Sequence, residues 1–333
     1  MSVLVEASAA ANAPSRAPQA VPTISVIICS NRPGGLAAAV GSVLANDAVP
    51  FELLVVAQGT DPAWAYASLE MLPDDVRRDP RLRVIHDPGR GLSRARNVGV
   101  RAAAGDLILF TDDDCIVAPD WVASHVACYQ DHPEAMLVYG KVVPPAGYTG
   151  ADGFVPTFEP TPVRDPARLR GGLIQGMGAN MSVRRALLDR VGPFDEVLGA
   201  GGLLMSAEDL DMSMRAFIAR QLIVADSRPL VVHEGGVRSR GQESRLLWQR
   251  DGVGLGAAVA KVVRTGQWRA AAAPVNVLIG MWRDAVAKVL NGRRPFGLAM
   301  IGLLTLGSLD GFARGLRQPL RGSSSQCVYT TER

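Results

Sequence analysis

Leu107-Ile-Leu-Phe-Thr-Asp-Asp-Asp-Cys115 sets a short apolar run directly against three consecutive carboxylates. Four apolar residues in a row, bounded by Gly105 and the acidic triplet, read as a strand buried on both faces. Three adjacent carboxylates at a strand end repel one another and are costly unless something positive neutralises them. A divalent cation held by carboxylate oxygens, with phosphate completing its shell, is the usual solution. A solvated acidic turn that caps the following helix, helped by Asp120, is the plainer alternative.

The segments on either side give this stretch a setting. Ile24–Cys29 and Glu52–Ala57 are β-branched and apolar enough for buried strands, and Arg83–His86 reads as another. Leu36–Leu44 and Leu92–Ala104 read as helices between them, the second stopped by Gly105. Strands alternating with helices at this spacing predict an α/β domain with a mostly parallel central sheet. In such sheets ligands sit beyond the carboxyl ends of the strands, so the loops after Cys29, Ala57 and Phe110 are the first places to look. Downstream, residues 140–172 are rich in Pro and Gly and read as a long loop. A helix over Arg184–Val191 follows, then Gly199-Ala-Gly-Gly202 and an amphipathic helix over Glu208–Leu222, with Leu210, Met214, Phe217, Ile218 and Leu222 on one face. Leu222–Ala225 and Leu230–His233 close the body.

Composition bounds the rest. The 333 residues suit two domains or one large one with an appendage, and 48% apolar and 20% charged residues exclude disordered, collagen-like and coiled-coil chains. Cys29, Cys115, Cys128 and Cys327 are too few and scattered for a disulfide scaffold, and no CxxC marks a zinc site, so a reduced, cytosolic setting follows. Residues 1–22, Ala- and Pro-rich without a basic n-region, read as a disordered leader rather than a signal peptide.

Two further acidic or basic constellations qualify for chemistry. Glu208-Asp209-Leu-Asp211 opens a helix, where carboxylates are favoured by the dipole; the preceding glycines let the backbone approach a ligand, and a carboxylate held there can take a proton from a hydroxyl. His233 ends an apolar strand, where a structural histidine and a metal ligand are both open readings. A phosphohydrolase with Asp112 as nucleophile is a competing reading, weakened by Ile116 in the fifth position of its turn and by the turn's place after the fourth strand. Gly89-Arg-Gly91 lacks the third glycine of a dinucleotide loop, Arg94 standing there, and no P-loop occurs.

Together these pieces resemble the family 2 glycosyltransferases, which have the GT-A fold. The resemblance runs from about Ile24 to Gly236 and lies in the order of five segments: Ile24–Pro33, Gly91–Gly99, Leu109–Trp121, Gly178–Asp195 and Ser206–Asp211. It implies that Ser30, Arg32, Gln58, Arg94, Arg96, Asn97, Asp112 and Asp113 bind a nucleotide-diphosphate sugar donor. It implies that Asp112, Asp114 and His233 hold Mg2+ or Mn2+, that Asn180 and Glu208 meet the acceptor, and that Asp209 is the general base. One carboxylate base without an enzyme nucleophile implies a single displacement with inversion. Where relatives often carry an Asp at the end of the second strand, this chain has Ala57-Gln58, so the nucleobase stays open. The implied acceptor is a saccharide or lipid-linked saccharide in cell-envelope polysaccharide synthesis. A non-catalytic nucleotide-sugar-binding scaffold at a membrane is the non-enzymatic alternative.

The overall charge of +3 hides a split: residues 238–333 hold 15 Lys/Arg against 5 Asp/Glu, and residues 1–237 hold 20 against 27. Trp248, Trp268 and Trp282 and an apolar run over 296–309 join that basic excess. They predict, for residues 238–320, amphipathic helices on an anionic membrane surface, placing the protein at the inner face of the cell membrane. The run is too short to span a bilayer. A helical subdomain packed on the body, or a homodimer contact, is the other reading. Nucleic acid is not an expected partner. Residues 321–333 read as a disordered tail, and the body as residues 23–237.

Overall fold

Ile24–Ser30 (β1) is buried at every residue, as an apolar strand must be when helices cover both faces of its sheet. A computed structural model describes residues 23–150, 153–160, 176–236, 238–239, 241–291 and 297–320. The expected leader, the C-terminal tail and much of the expected long loop lie outside these residues. After β1 come Leu36–Leu44 (α1), Glu52–Gln58 (β2), Ala63–Leu69 (α2), Asp74–Arg77 (α3), Leu82–Asp87 (β3), Leu92–Ala102 (α4) and Leu107–Asp112 (β4). Ile116–Val117 (β5), Trp121–Asp131 (α5), Ala135–Val143 (β6), Gly153–Phe154 (β7), Met181–Arg184 (β8) and Arg185–Val191 (α6) follow. Glu208–Ile218 (α7), Leu222–Val232 (β9), Arg238–Ser239 (β10), Gln242–Arg264 (α8), Trp268–Leu290 (α9) and Leu298–Gly315 (α10) complete the order.

Eight strands form one sheet in the order β3-β2-β1-β4-β8-β6-β9-β5. β3, β2, β1 and β4 are parallel, as are β6 and β9. β8 runs antiparallel between β4 and β6, and β5 is antiparallel to β9. Alternate residues of β1 feed two cores. Val26 and Ile28 meet Leu36, Val40 and Trp121 on one face; Ile27 and Cys29 meet Ala95, Leu187 and Phe194 on the other. Each fully buried Val, Ile or Leu contributes about 1.5–3 kcal/mol of transfer free energy. The strand order reverses between β1 and β4: β2 and β3 lie to one side of β1 and β4 to the other. That crevice, at the carboxyl ends of β1 and β4, is where ligands bind in open parallel sheets.

A third core joins Leu198, Leu204, Leu210 and Met214 to Val253, Ala257 and Val262 of α8 and Ala270 of α9. Lys261 of α8, fully buried, forms an ion pair with Asp195 ahead of the glycine-rich segment. α8 and α10 pack backbone to backbone: a Cβ on Gly311 would stand 2.0 Å from the carbonyl oxygen of Val253. Among the described residues no helix is long and apolar enough to cross a membrane.

Four local expectations are corrected. The helix from Glu208 stops at Ile218, because Arg220 turns left-handed at φ 55° and Leu222 already opens β9. The two closing strands are one, β9, with a register shift around Pro229 where the chain lacks an N–H for the ladder. Residues 140–143 belong to β6 rather than to a loop, and Gly153–Phe154 pairs with β10. β4 continues through Asp112, so the first of the three carboxylates stands on the strand itself.

Candidate active site

The β1–β4 crevice collects the residues that the two strand ends deliver. Ser30, at the end of β1, donates its hydroxyl to the Asp113 carboxylate, and its oxygen accepts the Arg32 N–H. The Arg32 guanidinium lies 3.1 Å from Asp113 and 2.8 Å from Asp114. His233, just past β9, reaches the same turn, its Nε2 3.5 Å from Asp114 Oδ1. The backbones close in as well. Gly35 sits at φ 88°, and a Cβ there would be 2.4 Å from the Asp113 carbonyl oxygen. Gly235 donates its N–H to the Asp114 carbonyl at 3.0 Å. Between them lies a cleft of about 600 Å3 lined by Arg32, Gly35, Asp114, Ile116, Glu234 and Gly235, within the usual range for small-molecule sites.

The electrostatics separate the three carboxyls. Burial raises Asp112 to about 6, against the pull of Arg96. Asp113 is raised by burial, which outweighs the hydrogen bonds from Ser30 and Arg32. Burial also acts on Asp114, but His233 and Arg32 overcome it and bring it down to about 2. Asp114 is thus ionised under all ordinary conditions, and a cation already faces it. The His233 Nδ1 lies 3.2 Å from the Pro156 carbonyl, which can only accept. The Nδ1 therefore carries a proton, and the Nε2 faces the Asp114 carboxylate, whose hydrogen bond and charge outweigh burial and raise the imidazole above its usual range. Asp114, Cys115 and His233 bring ligand atoms within 4.8 Å of one another. A carboxylate and an imidazole suit a divalent cation. Burial pushes the Cys115 thiol well up, so it stays protonated and is the poorest donor of the three.

Arg96 joins this turn to a second acidic group. Its side chain is 2% exposed, lies 2.9 Å from Glu208 and 3.4 Å from Asp112, and packs over the rings of Phe110 and Phe194. α4 supplies it, and α7 supplies Glu208 and Asp209. Met205 at φ 68° and Ala207 at φ 70° are left-handed without being glycine, so the approach to α7 stores about 1–3 kcal/mol of backbone strain per residue. Asp209 accepts the Gly178 N–H at 3.0 Å, and Tyr139 donates its hydroxyl to the Asp209 carbonyl at 3.0 Å. Burial, then the charge of Glu208, raises the Asp209 carboxyl to about 7; Arg96 opposes them. A carboxylate held there is matched to proton abstraction near neutral pH.

The crevice thus brings together Ser30, Arg32, Asp112, Asp113, Asp114 and His233, and Arg96 links them to Glu208 and Asp209. Gln58 and Arg94 meet elsewhere, at the ends of β2 and β3, on Asp87. That carboxylate accepts from Gln58 at 2.8 Å, from Arg94 at 3.0 Å and from the Gly89 N–H at 3.0 Å. Asn97 is engaged in the interior: its amide bonds both the N–H and the carbonyl of Phe194 at 2.9 Å, clamping that loop to α4. Asn180 is fully buried and its amide oxygen takes the Trp121 and His125 ring nitrogens, while its NH2 binds the carbonyls of Lys141 and Pro229. Its hydrogen-bonding capacity is used within the fold. Sequence reading missed Asp87, although an acid closing a strand just before a glycine-rich turn was the available signal.

Comparison with known proteins adds an independent line. Residues 25–192 match the model of Glycosyl transferase family 2. A glucosyl-dolichyl phosphate glucuronosyltransferase of Haloferax volcanii is 32% identical over 125 residues, 36% of this chain and 38% of that protein. The putative glycosyltransferase EpsH of Bacillus subtilis is 26% identical over 140 residues, 41% and 40% of the two chains. The matched region thus spans about two fifths of the length of these relatives. Among solved structures, the mannosyltransferase PcManGT from Pyrobaculum calidifontis, in complex with GDP-Man and Mn2+, superposes with a TM-score of 0.59 at 17% identity, over 88% of each chain. That likeness shows a shared fold, the GT-A fold of glycosyltransferases. With half of its length under the family model, the chain belongs to glycosyl transferase family 2.

Proposed function

We propose that this chain is a metal-dependent, inverting glycosyltransferase that moves a sugar from a nucleotide-diphosphate donor to a saccharide or lipid-linked saccharide. The observation that carries this reading is the buried guanidinium of Arg96, which holds the carboxylates of Asp112 on β4 and Glu208 on α7 together. Family membership supports the reaction class. The Haloferax relative, named for a lipid-linked glucosyl acceptor, supports a lipid-linked acceptor, and PcManGT, solved with GDP-Man and Mn2+, supports a nucleotide-sugar donor and a divalent ion. A role in envelope polysaccharide assembly at the cytoplasmic face of the cell membrane fits such an acceptor.

Asp114 and His233, with Asp112 beside them, would hold Mg2+ or Mn2+, which when bound neutralises the leaving diphosphate. Arg32 is half exposed at the mouth of the cleft and is placed to take phosphate oxygens when it leaves Asp114. Asp113 keeps the turn in place through Ser30. Asp209 removes the acceptor proton as the acceptor oxygen bonds to C1 of the sugar and the C1–phosphate oxygen bond breaks. Glu208 is neutralised by Arg96 and lies beside the base, where it orients the acceptor. A single attack on C1 inverts the configuration.

Asp114→Asn removes the ionised carboxylate facing His233. Mn2+-dependent affinity for a nucleoside diphosphate, read by titration calorimetry, is expected to fall at least about tenfold. Unchanged Mn2+-dependent affinity removes Asp114 from the site. Acceptor-dependent release of nucleoside diphosphate tests the reaction class; free phosphate released without acceptor contradicts it.

A further inference from the structure

Sixteen large apolar side chains stand exposed among the described residues, and twelve of them lie between Trp268 and Leu316. On α9 most of them are ordered, Val277 alone standing on the opposite side and Leu290 at the helix end. Trp268, Val275, Trp282 and Val289 recur at every seventh residue, and Ile279 and Val286 fall between them. At 3.6 residues per turn these six occupy an arc of about 80°. The neighbouring arc, with Pro274, Leu278, Met281 and Ala285, is the side of α9 turned from solvent. Arg269 and Arg283 rise on the open flank of the exposed arc, and Lys288, further round the helix, pairs with Asp284 at 2.6 Å. Trp282 donates its indole N–H to Thr305 at 2.9 Å, tying α9 to α10, and Leu306 and Leu309 of α10, with Leu316 just past its end, are exposed as well. An apolar face of this extent is normally an interaction site.

We propose that α9 lies in the plane of an anionic lipid surface, its tryptophan arc at the acyl boundary and its basic residues at the headgroup phosphates, with the outer leucines of α10 beside it. The chemistry matches such a surface. Tryptophans flanked by arginine and lysine are the residues of a membrane interface, and a charged far side keeps a helix in plane instead of across the bilayer. The 15 Lys/Arg against 5 Asp/Glu of residues 238–333 complement anionic headgroups.

A second copy of the chain fits less well. A seven-residue apolar repeat also seams two helices together, and the flanking positions then set the pairing. Here one flank, Ala271, Leu278 and Ala285, is turned towards the body, and the open flank carries Arg269, Asn276 and Arg283. An antiparallel pair sets these arginines against each other's flank, and a parallel pair needs the covered one. The exposed leucines of α10 also make the surface wider than a two-helix seam. This inference deepens the peripheral placement proposed above and rests on that reading only for the purpose the attachment serves.

Co-sedimentation of the full chain with vesicles tests it. The chain is expected to pellet with phosphatidylcholine–phosphatidylglycerol vesicles, to pellet much less with phosphatidylcholine alone, to be released by salt, and to shift its tryptophan emission to the blue. The double variant Ile279→Asp, Val286→Asp changes two exposed side chains, so its melting temperature stays as in the parent while vesicle partitioning falls at least about tenfold. No pelleting of the parent chain, or equal pelleting of the variant, overturns the proposal. A dimer in lipid-free solution that the double variant breaks, without vesicle binding, assigns the arc to a second copy and overturns it too. Nucleoside diphosphate binding measured on the same variant reports separately on the glycosyltransferase reading, since α9 carries none of the crevice residues.

Discussion

Asp209→Asn is expected to lower turnover by about 1,000-fold and to leave donor binding within about twofold of the parent, as loss of the proposed general base would. The amide keeps the shape of the carboxylate and can still accept the Gly178 N–H, so the α7 segment stays in place. It cannot take a proton. The pH dependence follows from the raised carboxyl. As the proposed base Asp209 acts only when ionised, and burial together with Glu208 raises its carboxyl to about 7. Turnover in the parent therefore falls about tenfold per unit as pH drops below about 7. Stability moves the other way. The folded chain keeps a proton on Asp209 that the unfolded chain has lost, so this group favours folding at acid pH, and that contribution disappears as pH rises through about 7. The Asn variant loses both dependences. Turnover near the parent rate assigns the proton transfer to another group.

Arg96→Met is the second large effect. The guanidinium is the shared counter-charge of Glu208 and Asp112 and pulls Asp209 down as well. Removing one partner of a buried ion pair leaves uncompensated charge and costs about 3–5 kcal/mol. At pH 8, urea unfolding is expected to show a loss of about 4 kcal/mol, together with loss of turnover. The loss shrinks at acid pH, because the abandoned carboxyls take up protons more readily than those in the parent. Arg96→Lys keeps the charge and loses the planar fork that reaches both acids, so it falls between the two. A small, pH-independent loss instead reduces Arg96 to packing between Phe110 and Phe194.

The sequence carried those parts of the fold whose residues have one dominant local signal. β1 is an apolar run broken only by Ser25 and closed by Ser30, α1 matches its expected bounds, and the three carboxylates mark the end of β4. A helix after Asp120 was implied, but the extent of α5 was hidden because Trp121, Val122, Ser124, His125, Val126, Cys128 and Tyr129 are all buried, so the helix shows no polar stripe. β6 begins right after it, and the prolines that follow Val143 obscured its end. In the crevice, the sequence marked the acids and named Arg32, Arg96 and His233 as ligand contacts, but not as the partners of those acids. Arg96 lies 16 residues from Asp112 and 112 from Glu208, and only the fold, which sets α4, the end of β4 and the start of α7 around one guanidinium, brings the three together. Asn97 and Asn180 show the converse. Polar residues in motif-like settings proved to be engaged by backbone groups within the interior. Asp87 draws Gln58 and Arg94 together through tertiary contacts that spacing does not reveal.

The central claim is that the crevice between β1 and β4 binds a nucleoside diphosphate together with a divalent cation. Thermal unfolding of the full chain against a panel of nucleoside diphosphates, each with Mn2+ or with EDTA, tests it most directly. A ligand that binds only the folded state stabilises it by about 2.7 kcal/mol at a hundred times its dissociation constant. A rise in melting temperature that requires Mn2+ and is absent in Asp114→Asn is expected for at least one nucleoside diphosphate. A folded chain whose melting temperature no nucleotide raises, with or without Mn2+, contradicts it and leaves Asp112, Asp113 and Asp114 a structural turn.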